Sequence, residues 1–150
     1  LKMEAVDVYT AVSLAADNLQ EVFEAAGLSV GIPEMGEMKI LADLDWTMEA
    51  LMNLFKNCAE YTPPGGRIHC ACSQNPLYTE IILWDEGKGF DKEDIPHLFE
   101  RFYRGKNASG NGIGIGLSLA REIIERQNGT IRAVNLPGKG AAFEIRFYSH

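Results

Sequence analysis

The chain has 150 residues, enough to bury the core of one domain and too few to call for a second. Fourteen Lys plus Arg stand against 21 Asp plus Glu, and the net charge of −7 argues against a nucleic-acid or anionic-membrane binder. No apolar run approaches the roughly 20 residues needed to span a bilayer, and no charged-then-apolar signal segment opens the chain.

In chain order, residues 7–26 carry apolar side chains at 8, 12, 15, 19, 22, 23 and 26, the spacing of a first helix stopped by Gly27. "LSVGIP" and "MKILAD" read as two short strands. A second helix is predicted over Asp45–Tyr61, with an apolar face of 48, 51, 52, 55, 58 and 59 and a polar face that includes Asn53 and Asn57. "TPPGG" ends it. "RIHCACSQ" and "YTEIILWDEG" form a hairpin across "NPL"; 91–111 is a candidate mobile loop; and a third helix, from about 114 to 127, precedes a last hairpin in "GTIRAVNLPGKGAAFEIRFY". The expected fold class is α+β, with three helices layered on one face of a mixed, largely antiparallel sheet. Cys58, Cys70 and Cys72 lack CxxC spacing and read as reduced, small apolar residues, with 70 and 72 on one face of a strand. The start at Leu1, without an initiator Met, gives the expectation of a piece excised from a longer protein.

Three stretches carry chemistry. Glycines at 112, 114 and 116 open the third helix, where unpaired N–H groups and the positive end of the helix dipole favour an anion approaching bare backbone. A tight loop needing positive φ explains them equally well. GxGxG here is neither a dinucleotide fingerprint nor a P-loop. Asn53 and Asn57, at i and i+4, stack on one helix face, and an amide oxygen is a hard neutral ligand suited to Mg²⁺; solvated surface amides are the plainer reading. "DEGKGF" sets Asp85 at a strand end before Gly87 and Gly89, where a carboxylate can accept from a base amine or simply close a turn.

Taken together and in order, these stretches resemble the ATP-binding catalytic domain of a bacterial sensor histidine kinase, over about Val6–Tyr148. "NLFKNCAEYTP" is similar to that family's N box, "DEGKGF" to its G1 box, "FERFYR" to its F box and "GNGIGIGL" to its G2 box. The resemblance implies a Bergerat α/β sandwich, shared with gyrase-type ATPases, that takes up ATP between the second helix and a lid. It implies that Asn57 coordinates Mg²⁺ with Asn53 in support, that Asp85 recognises the adenine amine, and that Gly87 and Gly89 admit the ring near Tyr61. Gly112, Gly114 and Gly116, with Leu117, would present N–H groups to the phosphates, and Arg101 and Arg104 would meet the phosphate tail. The whole of 1–150 would then be one cytoplasmic catalytic domain, touching neither nucleic acid nor membrane. It would pass the γ-phosphoryl group to a histidine on the dimerisation helices of its parent kinase and indirectly serve a response regulator.

Departures accompany the match. Glu60 stands where the N box usually has Lys or Arg, with Lys56 one turn away; Ala141 replaces a common Thr or Ser; and the lid, about 103–111, is short. Related ATPases and serine kinases usually carry Glu at the position of Asn53. An amide does not take up a proton at neutral pH, which favours a nucleophile needing little activation, such as imidazole. His69, His97 and His150 stand in no acceptor context, so the acceptor lies outside the sequence. The alternatives are an ATPase or serine kinase of the same fold, and a degenerate interaction module motivated by Glu60 and Ala141.

Overall fold

The computed structural model describes residues 1–103 and 115–149. The chain runs β1 (Glu4–Asp7), α1 (Val8–Asp17), α2 (Gln20–Ala26), β2 (Ser29–Gly31), β3 (Lys39–Ala42), α3 (Leu44–Tyr61), β4 (Arg67–Gln74), β5 (Tyr78–Trp84), a 3-10 turn (Ile95–His97), α4 (Gly116–Arg126), β6 (Gly129–Asn135) and β7 (Ala141–Tyr148). The main sheet has the order β2-β4-β5-β7-β6; β2 joins β4 in parallel, and every other pairing is antiparallel. The fold is the expected α+β class with a mostly antiparallel sheet.

Several expectations are corrected. The first helix is two, so the described residues hold four helices and not three. At the break Leu19 leaves helical geometry (φ −109°, ψ 13°) yet stays buried, and Phe23 packs edge-on against Phe55 with ring centroids 6.0 Å apart. The 3.6-residue apolar pattern runs on through the break because both halves bury the same side. Glu4–Asp7, of which the sequence pattern assigns only Asp7, to the start of the first helix, is a strand pairing antiparallel with β3 in a separate two-stranded sheet. α4 is described from Gly116, and residue 114, near which the sequence pattern starts the third helix, lies outside the described residues.

The capping is as local chemistry requires. Asp7 accepts from Thr10 N–H at the start of α1, and Asp43 accepts from Trp46 N–H at the start of α3. Gly27, at φ 72°, closes α2 in the left-handed conformation. α3 is central: it packs against α1, α4 and the inner sheet face, so Leu51, Leu54 and Phe55 are fully buried with Ile68, Ile81, Leu83, Phe143 and Ile145. Each such side chain contributes about 1.5–3 kcal/mol through burial. The outer sheet face is dressed by the cross-strand pairs Arg146–Glu80 and Arg132–Glu144.

Candidate functional site

The buried face of α3 is rotated from the expected one, to Thr47, Ala50, Leu51, Leu54, Phe55 and Cys58. With α4 against its flank, the side bearing Asn53 and Asn57 is half-buried and not a solvated surface. Asn53 Nδ2 and Asn57 Oδ1 are buried and have no hydrogen-bond partner among the described residues. Such orphaned groups cost about 1–3 kcal/mol each, a cost a fold retains where a ligand satisfies them. Gly116, the first residue of α4, meets Asn53 directly: a Cβ there would stand 3.3 Å from Asn53 Oδ1. Ile115, the residue that caps α4, offers no side-chain hydrogen bond, so the N–H groups of this helix start lack a side-chain acceptor from their cap.

Asp85 lies at the end of β5 and is fully buried. Its main chain is pinned to β7, its N–H donating to Ala141 O (3.0 Å) and its carbonyl accepting from Gly140 N–H (3.1 Å). Oδ1 accepts from Gly87 N–H (2.8 Å) and Ala141 N–H (3.2 Å), while Oδ2 is buried without a partner. One oxygen is thus fixed by the fold and the other left as an unused acceptor. Burial pushes the carboxyl above its ordinary range, and the two N–H bonds pull against that rise.

Gly87 and Gly89 have different steric reasons. A Cβ on Gly87 would lie 2.5 Å from the carbonyl oxygen of Tyr61, so the glycine lets this turn close on the end of α3. Gly89 has φ 89° and abuts Asn135, whose amide accepts from Phe90 N–H (2.7 Å) and donates to Phe90 O (2.9 Å). Tyr61 packs edge-on against Phe90, ring centroids 5.6 Å apart. The Asn pair, Gly116, Asp85, Gly87 and Tyr61 therefore all belong to the wall formed where α3 meets α4 and the ends of β5 and β7.

A model of the family described as histidine kinase-, DNA gyrase B- and HSP90-like ATPases matches residues 42–149. The chain belongs to that family. Within it, this ATPase-family chain is an ATP-binding catalytic domain of the sensor histidine kinase type. It is 32% identical over 146 residues to the sensor-like histidine kinase SenX3 of Mycobacterium tuberculosis, covering 95% of this chain and 36% of the relative. It is 28% identical to the signal transduction histidine-protein kinase BaeS of Escherichia coli, covering 93% and 31%. The chain thus spans about a third of the length of these curated relatives. Among solved structures, the mycobacterial sensor histidine kinase MprB superposes with a TM-score of 0.84 at 24% identity, covering 97% of each chain. The nucleotide-free catalytic domain of histidine kinase ThkA gives a TM-score of 0.81 at 19% identity, covering 99% of this chain and 98% of that one. Both likenesses are of fold.

The remaining sites expected in this ATPase-family domain divide in two. Arg101 is exposed, its guanidinium over the ring of Phe102 at 5.4 Å, and Phe102 is an exposed non-glycine residue at φ 69°. Arg104, Gly112, Gly114 and most of the 103–111 lid lie outside the described residues. Leu117 is half-buried against the core from α4. Sequence reasoning missed Gly140 and Asn135, which hold Asp85 and the Gly89 turn; the glycine of "GKGAAF" was the available signal for the first. No helix among the described residues is long and apolar enough to cross a membrane.

Proposed function

We propose that residues 1–150 form one catalytic domain that binds Mg²⁺-ATP and donates the γ-phosphoryl group to a histidine on the dimerisation helices of a parent sensor kinase. The reading rests on one observation above all: Asn53 Nδ2, Asn57 Oδ1 and Asp85 Oδ2, three buried atoms on two elements of one wall, have no partner within the described chain. A donor, a neutral hard oxygen and a carboxylate oxygen are a donor set that fits a magnesium nucleotide. Asn57 would hold Mg²⁺ with Asn53 in support, Asp85 would accept from the adenine amine beside Gly87, Gly89 and Tyr61, and Gly112, Gly114, Gly116 and Leu117 would give N–H groups to the phosphates. Arg101 and Arg104 would add positive charge. Bound Mg²⁺ supplies neutralisation of charge on the transferring phosphates.

The amide at position 53 favours histidine over water as acceptor, because no carboxylate stands there to take a proton. Positioning and charge then carry the transfer. The parent's acceptor helices and, downstream, a response regulator are the partners, and the domain works in the cytoplasm. Calorimetric titration with a non-hydrolysable ATP analogue, with and without Mg²⁺, tests the reading. One-to-one, Mg²⁺-dependent binding that Asn57→Ala and Asp85→Ala each abolish in a folded domain supports it; unchanged binding in both variants overturns it.

A further inference from the structure

Away from this wall, β4 carries two thiols in contact. Cys70 and Cys72 are free, share the inner face of the strand, and bring their sulfurs to 3.8 Å. Cys70 is buried; Cys72 is only half-buried, at a place where β4 has lost one neighbour, because the pairing with β2 ends at His69. The pair is therefore reachable from one end. The shared sulfur–sulfur contact, in which either thiol can donate, draws the Cys72 thiol below its ordinary range and, with burial, pushes the Cys70 thiol up.

The spacing discriminates between the things two thiols can do. Residues two apart on a strand have Cα atoms about 6.7 Å apart, at the upper limit for a disulfide, so oxidation to a bond would force the strand to contract. An atom bonded to both sulfurs at about 2.3 Å spans about 3.5 Å at the roughly 100° angle of a pyramidal three-coordinate centre, about 3.8 Å at a tetrahedral angle and about 4.6 Å if linear. The observed 3.8 Å lies within about 0.3 Å of a bent centre and about 0.8 Å short of a linear, two-coordinate ion. Coordination number narrows it further. Among the described residues no group of three or more His, Cys, Asp or Glu is placed to hold a metal ion. A four-coordinate zinc ion would have half its shell unfilled by protein against an apolar core, whereas a three-coordinate centre needs a single outside substituent, directed to the open Cys72 side.

We propose that Cys70 and Cys72 form a two-sulfur site for a three-coordinate, thiophilic metalloid in its trivalent state, of the organoarsenical class. With an arsonous acid, R–As(OH)₂, two S–H and two As–O bonds break, two As–S and two O–H bonds form, and two waters leave. No oxidation state changes, and the product is neutral, so no charge is buried beside the core.

The test uses phenylarsine oxide with the intact domain, read by intact mass under non-denaturing conditions. The expected result is one adduct per chain that survives excess 2-mercaptoethanol, is removed by dimercaptopropanol, persists in Cys58→Ala and is at least tenfold weaker in Cys72→Ser. Cys72→Ala provides a second variant should the serine disturb folding. The proposal is overturned by the absence of an adduct, by its full retention when Cys72 is replaced, by its removal with the monothiol, or by uptake of Zn²⁺ in preference to the arsenical.

Discussion

Gly140 backs directly onto Asp85: its N–H donates to the Asp85 carbonyl at 3.1 Å, and a Cβ on it would stand 2.7 Å from that oxygen and 2.9 Å from Gly87 N. The nearest atom it would strike is Oδ1 of the Asp85 carboxylate itself, and the other two are backbone and cannot swing aside. Gly140→Ala is therefore expected to cost about 1–3 kcal/mol of stability by overpacking and to weaken nucleotide binding at least tenfold by displacing the carboxylate. Urea unfolding and calorimetry measure the two effects. Gly36→Ala, at a position with nothing within 4 Å, is the control that leaves both unchanged.

Asp85 ties stability to pH in an uncommon direction. Burial raises its carboxyl pKa, so the folded state holds the proton more tightly than the unfolded chain does. Its contribution is then nil below the ordinary Asp range of about pH 4 and grows unfavourable as pH rises through that range toward the raised value. Asp85→Asn keeps an oxygen for the Gly87 and Ala141 N–H groups and removes the charge. The variant should unfold at the same or a higher temperature than the parent at pH 7, with the gap closing as pH falls through about 4, and should lose nucleotide binding. Thermal melts across this range check it; a variant less stable at pH 7 would mean that the charge is compensated inside the fold.

What was legible in the sequence divides by physical cause. The hairpin β4–β5, the strand-end Asp85 and the Asn53/Asn57 spacing follow from period-2 and period-3.6 patterns that solvent exposure imposes. The break at Leu19 did not show, because burial on one side of both helices preserves the period through it. β1 is four residues long and its first two are exposed, so it offers no alternation, and its pairing with β3 is a choice of tertiary partner that neither strand encodes alone. The rotated face of α3 has the same origin: Asn53 and Asn57 look like solvent-facing amides until α4 is laid against them.

Gly116 separates fold from function. Its φ is not positive, and among the described residues the nearest atoms a Cβ would meet are those of the Asn53 side chain, the first at 3.3 Å. Gly116→Ala should leave stability within about 1 kcal/mol, since better helix propensity offsets the crowding. Nucleotide affinity should fall several-fold as the Asn53 side chain yields by a few tenths of an ångström. Unfolding curves and calorimetric titration, run on the same samples, read the two; an unchanged affinity would remove Gly116 and Asn53 from the proposed phosphate side.

The far end of α4 is held as firmly as its start. Gln127, 3% exposed, accepts from Asp43 N–H at 2.6 Å and donates to Thr47 Oγ1 (3.2 Å) and Ile123 O (3.3 Å), joining the end of α4 to the first turn of α3. Because the two helices run in opposite directions, this clamp and the Gly116–Asn53 contact fix both ends of one interface. Gln127→Leu strands a buried N–H and a hydroxyl and should cost about 1–3 kcal/mol. The neighbouring pair Arg126–Glu122 lies exposed at 3.0 Å, and Arg126→Ala should cost no more than about 0.5 kcal/mol. Urea unfolding of the two variants distinguishes a buried clamp from a surface pair, and equal losses would refute the clamp. A loss of nucleotide affinity in Gln127→Leu, at the opposite end of α4 from Gly116, would show that the register of α4 on α3 sets the geometry of the wall.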